Sequence, residues 1–173
     1  MATGTVKGWL FDINKCTGCH ACEVACAAWN NTEAVSWRRV VKIESGSYPN
    51  VTVRNLSMPC LHCDQAPCLQ SCPVGAIHKR QDGVVLVDQK TCVGCMLCFW
   101  ACPFGAPQFG AEGKMTKCTY CDDRPDGLPR ACEEVCPTKA IFSGDMDELE
   151  RLAAQHGAER VGGPAGPALF IIR

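Results

Sequence analysis

CVGCMLCFWACP, residues 92–103, sets Cys92, Cys95, Cys98 and Cys102 in the spacing C-x2-C-x2-C-x3-C and closes on Pro103. A disulfide needs one partner at a fixed geometry. A single zinc ion takes four ligands, usually as two separated pairs. Here three thiols on one tight loop can wrap a single small object, while the fourth, a helical turn later, points to a neighbouring one. Gly94, inside the loop, permits the positive φ that such wrapping requires.

Working outward, the same arithmetic recurs. The sixteen cysteines fall into four quartets: Cys16, Cys19, Cys22, Cys26; Cys60, Cys63, Cys68, Cys72; Cys92, Cys95, Cys98, Cys102; and Cys118, Cys121, Cys132, Cys136. Every quartet begins C-x2-C and ends C-x3-C, and none of the sixteen is left over. Proline follows the second, third and fourth quartets at Pro73, Pro103 and Pro137, where it is compatible with the first turn of a helix. The first and third quartets carry the ligand run of two-cluster bacterial ferredoxins. With cysteine at every ligand position, the expected cofactors are four [4Fe–4S] clusters.

Sixteen cysteines among 173 residues, against six Phe, two Tyr and four Trp, leave a thin organic core, so cofactors are expected to supply part of the stability. Formal net charge is −1 with thiols neutral. With sixteen thiolates around four cores of charge +2, it becomes about −9. No basic face points to nucleic acid. No apolar run reaches the ~18 residues of a membrane span. The start MATGTVKGWLFD shows neither a basic stretch with an apolar run nor a twin arginine, so a cytoplasmic location is expected, with export beside a signal-bearing partner as the alternative.

Internal similarity pairs the quartets. Between the second and third, AIHK (76–79), an Asp-Gly turn and VVLV (84–87) form an expected hairpin. The approach to the first quartet, GWLFDINKC (8–16), repeats the approach to the third, VVLVDQKTC (84–92), with Asp12 and Asp88 each four residues before a cysteine. The exit from the fourth, CPTKAIFSG (136–144), repeats the exit from the second, CPVGAIHKR (72–80). Quartets four and one thus form a second unit, into which the first is inserted. The expected fold is α+β: an outer ferredoxin-like unit of residues 1–58 plus 103–173, with an added hairpin and a C-terminal helix, and an inserted two-cluster unit of residues 59–102. The expected ligand sets are Cys16, Cys19, Cys22 with Cys136; Cys118, Cys121, Cys132 with Cys26; Cys60, Cys63, Cys68 with Cys102; and Cys92, Cys95, Cys98 with Cys72.

Elsewhere, 35–44 and 50–58 alternate as two strands joined by a Ser-Gly-Ser-Tyr-Pro-Asn turn, read as a lid or docking surface. Residues 145–156 read as an amphipathic helix ended by Gly157. The tail ending ALFII reads as a terminal strand or a partner contact. His20 and His62 lie inside cysteine loops but have no ligand position to fill. Met96, Leu97, Phe99 and Trp100 read as packing that keeps water from a cofactor. Lys15, Lys114 and Lys117 read as solvated side chains able to offset cluster charge.

CTGCHACEVAC (16–26), SWRR (36–39), CPVGAIHKRQDGVVLVD (72–88), CPFGAPQF (102–109) and MTKCTYCDDR (115–124) together resemble the four-cluster electron-transfer subunits of molybdenum and tungsten enzymes, the dimethyl sulfoxide reductase B-subunit family. The resemblance runs from about residue 6 to the end. In length the chain also resembles the small subunit of tungsten aldehyde oxidoreductases. The resemblance implies a non-catalytic electron wire with a molybdo- or tungsto-pterin catalytic subunit at one end. A flavin- or quinone-linked redox subunit, or another copy of this chain, stands at the other. The unit built from quartets one and four lies nearer the catalytic subunit. Trp100 replaces neither Cys98 nor Cys102, so a four-iron cluster is implied there too. The same wire serving a nickel hydrogenase, a formate-hydrogen lyase or carbon monoxide dehydrogenase is the alternative, and a zinc-binding interaction module is a distant one.

Overall fold

In β1 (Lys7–Asp12) the run Trp9-Leu10-Phe11 is apolar on both faces, so the strand must be covered on both. The computed structural model, which describes residues 6–173 apart from 33 and 126, shows how this is met. The first five residues, counted above in the outer unit, lie outside the described set. β1 runs antiparallel to β8 (Ile141–Asp145) and parallel to β10 (Leu169–Ile172), which carries the short β9 (Glu159–Arg160) on its far edge. Leu10 and Phe170 meet Leu149 and Ala153 of a covering helix, α5 (Met146–His156). Trp9, Phe11, Leu169 and Ile171 face the opposite way, into a core made largely of cysteines. The tail is therefore a buried strand with Ala168 and Leu169 sealed from solvent. α5 ends on Gly157 in the left-handed conformation, as its composition predicts.

The remaining elements are small. α1 (Ala21–Asn30) packs on α4 (Ala131–Glu134), and α2 (Pro67–Gln70) packs on α3 (Leu97–Ala101). The hairpin expected between quartets two and three forms as β4 (Ile77–Lys79) and β5 (Val85–Val87), and a second small hairpin forms from β6 (Gln108–Phe109) and β7 (Met115–Thr116). The architecture is α+β.

The two approach-and-exit segments that repeat in sequence repeat in space. Asp88 N donates to Ala76 O at 2.8 Å, and Asp12 N donates to Ala140 O at 2.8 Å. Beyond the aspartates, Lys90 N and Asn14 N each close back on the Asp88 and Asp12 carboxylates, at 2.9 and 3.0 Å. Thus β8–β1 stands to quartets four and one as β4–β5 stands to quartets two and three.

Two expectations are corrected. The prolines after the quartets do not open helices. Pro103 follows the end of α3, and Pro73 and Pro137 lie in turns after α2 and α4, where a missing N–H helps to stop the helix. The long hairpin, β2 (Arg39–Ser47) and β3 (Asn50–Met58), begins four residues later than the alternation indicates, and its strands extend to a tip at Tyr48-Pro49. Most of it is exposed on both faces, so it is an arm with a buried root at Ser57 rather than a lid.

Candidate metal centres

The cysteine loops come in two backbone forms. In quartets one and three, Gly18 and Gly94 have φ of 70° and 71°, and His20 and Met96 follow at 61° and 62°. Each loop then enters a helix at the next residue, α1 from Ala21 and α3 from Leu97, so Cys22 and Cys98 project from the first turn. A Cβ on Gly94 would lie 2.4 Å from the Gly113 carbonyl, so glycine is required there for space as well as for φ. In quartets two and four the left-handed residues are instead His62 and Tyr120, at 45° and 64°, joined in quartet four by Cys121 at 51°, and the third cysteines, Cys68 and Cys132, ride on the four-residue helices α2 and α4. Loops one and three are one design, and loops two and four another.

These loops surround hollows of similar size. One of about 310 Å³ is lined by Cys16, Cys19, Cys22 and Cys136, with Phe11 and Ser57. A second of about 310 Å³ is lined by Cys72, Cys92, Cys95 and Cys98, with Ile77 and Phe109. A third of about 360 Å³ is lined by Cys60, Cys63, Cys68 and Cys102, with Pro107 and Lys117. The last four cysteines, Cys26, Cys118, Cys121 and Cys132, are all buried, and Cys26 feels the charge of Cys132 and Cys121. Each hollow so described draws three thiols from one quartet and the final thiol from another. Among the described residues, no three His, Cys, Asp or Glu side chains gather closely enough to hold one ion.

Burial and crowding act on these thiols together. Burial, then the neighbouring Cys132, pushes Cys26 up to about 12. Burial, then Cys60 and Cys102, does the same to Cys63. Cys68 and Cys98 rise to about 11, again chiefly through burial. Thiols so placed cannot all ionise by themselves, and a bound metal core supplies the positive charge that makes them thiolates. Cys72 and Cys136 behave differently. Burial raises both, but the backbone N–H groups of the turns that follow outweigh it and hold both below the ordinary thiol value. Ala140 N, for example, donates to Cys136 Sγ at 3.3 Å. Met115 N donates likewise to Cys92 Sγ, and Tyr120 N to Cys118 Sγ, both at 3.4 Å. Amides aimed at sulfur are the donors that iron–sulfur clusters use.

Among the described residues three buried side-chain N–H groups, on His62, Arg38 and Arg124, have no partner within the protein. His62 is 1% exposed. Its Nδ1 accepts from Val85 N at 3.0 Å, while Nε2 is unpaired. Burial, then the Lys117 charge, holds it well below the usual imidazole range, so it is neutral and Nε2 carries the proton. Arg38 has an unpaired Nη2. Orphaned donors beside thiol-lined hollows match a ligand rich in sulfur acceptors, and the residues present fit four iron–sulfur clusters.

The surroundings differ in part from expectation. Lys117 is not solvated: it is 3% exposed, with Nζ donating to the Val85 carbonyl and, at 3.1 Å, to that of Cys118. Lys15 and Lys114 are exposed, pairing with Asp12 and the Gln89 carbonyl. His20 is exposed and pairs with Glu23. Met96, Leu97, Phe99 and Trp100 remain open to solvent beside the exposed Cys95, Trp100 at 82%. Sequence reasoning missed Ser57, whose Oγ lies 3.3 Å from Cys22 Sγ, and the tilted ring pair Trp9 and Tyr120, with centroids 4.7 Å apart. Neither sits near a cysteine signal that would single it out, apart from the unread position of Tyr120 inside C-x2-C.

Comparison with known families agrees with this geometry. A model described as a 4Fe-4S dicluster domain matches residues 51–146, and a second of the same description matches residues 15–76. The chain belongs to this 4Fe-4S dicluster family. It is 42% identical over 164 residues to the B-subunit of the anaerobic dimethyl sulfoxide reductase of Escherichia coli (strain K12), covering 88% of this chain and 78% of that one. It is 37% identical to the formate dehydrogenase iron-sulfur subunit of Wolinella succinogenes, covering 89% and 88%. With the B-subunit of the sulfite dehydrogenase of Allochromatium vinosum the identity is 38%, over 80% and 68%. This chain is an iron–sulfur electron-transfer subunit of an oxidoreductase, carrying four [4Fe–4S] clusters, and is not the catalytic chain.

Proposed function

We propose that the chain is a wire of four clusters between a molybdenum- or tungsten-pterin catalytic subunit and a second redox partner. The clusters are held by Cys16, Cys19, Cys22 and Cys136; by Cys26, Cys118, Cys121 and Cys132; by Cys60, Cys63, Cys68 and Cys102; and by Cys72, Cys92, Cys95 and Cys98. The observation that carries this reading is the crossing of fourth cysteines: Cys136 stands at the hollow of loop one, while Cys72 and Cys102 stand at each other's hollows. Equivalent loop forms and equivalent aspartate anchors support a nested arrangement, with residues 59–102 inserted between 1–58 and 103–173. A [4Fe–4S] cluster supplies a one-electron couple whose potential the protein adjusts through hydrogen bonds, charge and burial. The chain's own residues hold the sulfur ligands, aim backbone N–H groups at them and close apolar walls around them.

Exposed Cys19 and Cys95, against buried second cysteines in the other two quartets, favour electron transfer through the loop-one and loop-three ends. Among the described residues no helix is long and apolar enough to cross a membrane. Sixteen free thiols suit assembly in the reducing cytoplasm. Elemental analysis of the anaerobically purified complex tests the reading. About sixteen iron per chain with molybdenum or tungsten supports it, nickel in their place moves the partner, and zinc without iron defeats it. Cys136→Ala is expected to damage two clusters, because its loop serves one and its thiol another. Retention of all four EPR signals would overturn the pairing.

A further inference from the structure

The two arginines of SWRR are placed in opposite environments. Arg39 is exposed and donates from Nη2 to the Gly105 carbonyl at 2.8 Å. Arg38, one residue earlier, is 2% exposed. Its Nη1 donates to Ser57 Oγ at 2.9 Å, and that hydroxyl lies 3.3 Å from Cys22 Sγ. Its guanidinium stacks over the Trp9 ring at 4.7 Å, and Nη2 has no partner. Among the described residues no ion pair joins it to a carboxylate, although a buried guanidinium calls for a compensating negative charge. The groups that do face it are thiols. Cys132, Cys118, Cys22 and Cys26 are the groups near enough for charge on them to act on its guanidinium. Cys22 lines the hollow of loop one, whereas the other three belong to the neighbouring set.

We propose that Arg38 is a fixed positive charge shared by the clusters of loops one and four, wedged between them and donating from Nη2 to ligand sulfur, so that both are easier to reduce. This rests on the ligand assignment above. Arg38 touches no substrate and positions nothing that reacts; its part is to set the potentials of one half of the wire. Because it never loses its proton, its effect holds across the working pH range. The Ser57 hydroxyl, anchored at the root of the long hairpin, keeps the guanidinium in place, and Trp9 covers its face.

The test is an anaerobic reductive titration of the intact iron-loaded protein, followed by EPR, with iron counted in every sample. Arg38→Gln is expected to retain sixteen iron and lower two of four midpoint potentials. Each falls by about tenfold in the reduction equilibrium, which is 59 mV for one electron. Arg38→Lys, which keeps the charge, is expected to restore most of the loss. Unchanged potentials, or an equal fall in all four, would overturn the proposal. If Arg38→Gln loses iron, Ser57→Ala decides, since it frees the guanidinium without removing it. A fall in two signals supports the shared charge, whereas a fall in one alone assigns the effect to the hydroxyl on Cys22 and overturns it. Fewer than sixteen iron in the unaltered protein would instead strike the cluster assignment beneath the proposal.

Discussion

Lys117 has its ammonium walled in beside the hollow of Cys60, Cys63, Cys68 and Cys102, satisfied by two carbonyls. Lys117→Met removes the charge and leaves both carbonyls buried without a donor. It should cost about 2 kcal/mol or more, measured by the denaturant midpoint of the loaded protein, and lower the potential of one cluster. Glycines divide in the same local way. Gly94→Ala drives a methyl into the Gly113 carbonyl and is expected to cost the iron of one cluster. Gly75→Ala, at a φ of 66° but facing open space, should keep all sixteen iron and lose only about 1–2 kcal/mol for the left-handed backbone. At this scale the thiols were legible because their spacing is local. Lys117 was not, because a cation beside a cysteine reads as solvated until Val85, distant in sequence, closes over it, and Arg38 was not, because no cysteine lies near it along the chain.

Among the elements, β1 is bound to the quartet-four loop by one side chain: Tyr120, buried, donates its hydroxyl proton to the Gly8 carbonyl at 2.7 Å. Tyr120→Phe should destabilise by about 1 kcal/mol without changing iron content, as a denaturation series with parallel iron analysis would show. Elements with a strong periodic or capped pattern were readable. These include α5 with Gly157 at its end, the β4–β5 hairpin around its Asp-Gly turn and the alternating arm. The prolines were misread, because proline tolerates the start of a helix and enforces its end alike, and only the preceding helices through Cys68, Cys98 and Cys132 decide which. The two-residue strands β6 and β7 carry too short a pattern to be seen.

For the molecule as a whole, burial is graded along the wire. Cys19 and Cys95 are exposed, whereas all four cysteines of quartet four and the first three of quartet two are buried. Iron removal by a chelator in air should therefore proceed in two phases of comparable size, with the loop-one and loop-three clusters lost first. A single phase, followed by absorbance and iron release, would contradict this. The two ends also differ in character. Around Cys95 stand Val93, Met96 and Trp100, all exposed and apolar, while around Cys19 stand His20 and Glu23, with Nδ1 and Oε2 3.1 Å apart. The repeat between quartets was readable from sequence because the approach segments share an aspartate and the exit segments share Cys-Pro and Ala-Ile. The gradient of exposure was not, since it depends on which loops cover which.

The central sheet also dictates a schedule. β1 leaves the ribosome before the other strands of its sheet, and both strands that flank it, β8 and β10, come from the last quarter of the chain. Until residue 172 has been made, β1 lacks its full set of neighbours, and in the proposed ligand sets Cys16, Cys19 and Cys22 wait for Cys136. Residues 59–102 meet no such delay, since all their cysteines and both strands of their hairpin emerge together. If the proposed nesting holds, this middle segment is ready for iron during synthesis while the polypeptide around it is still open, and the nascent chain passes through a stage in which its middle is finished before its beginning.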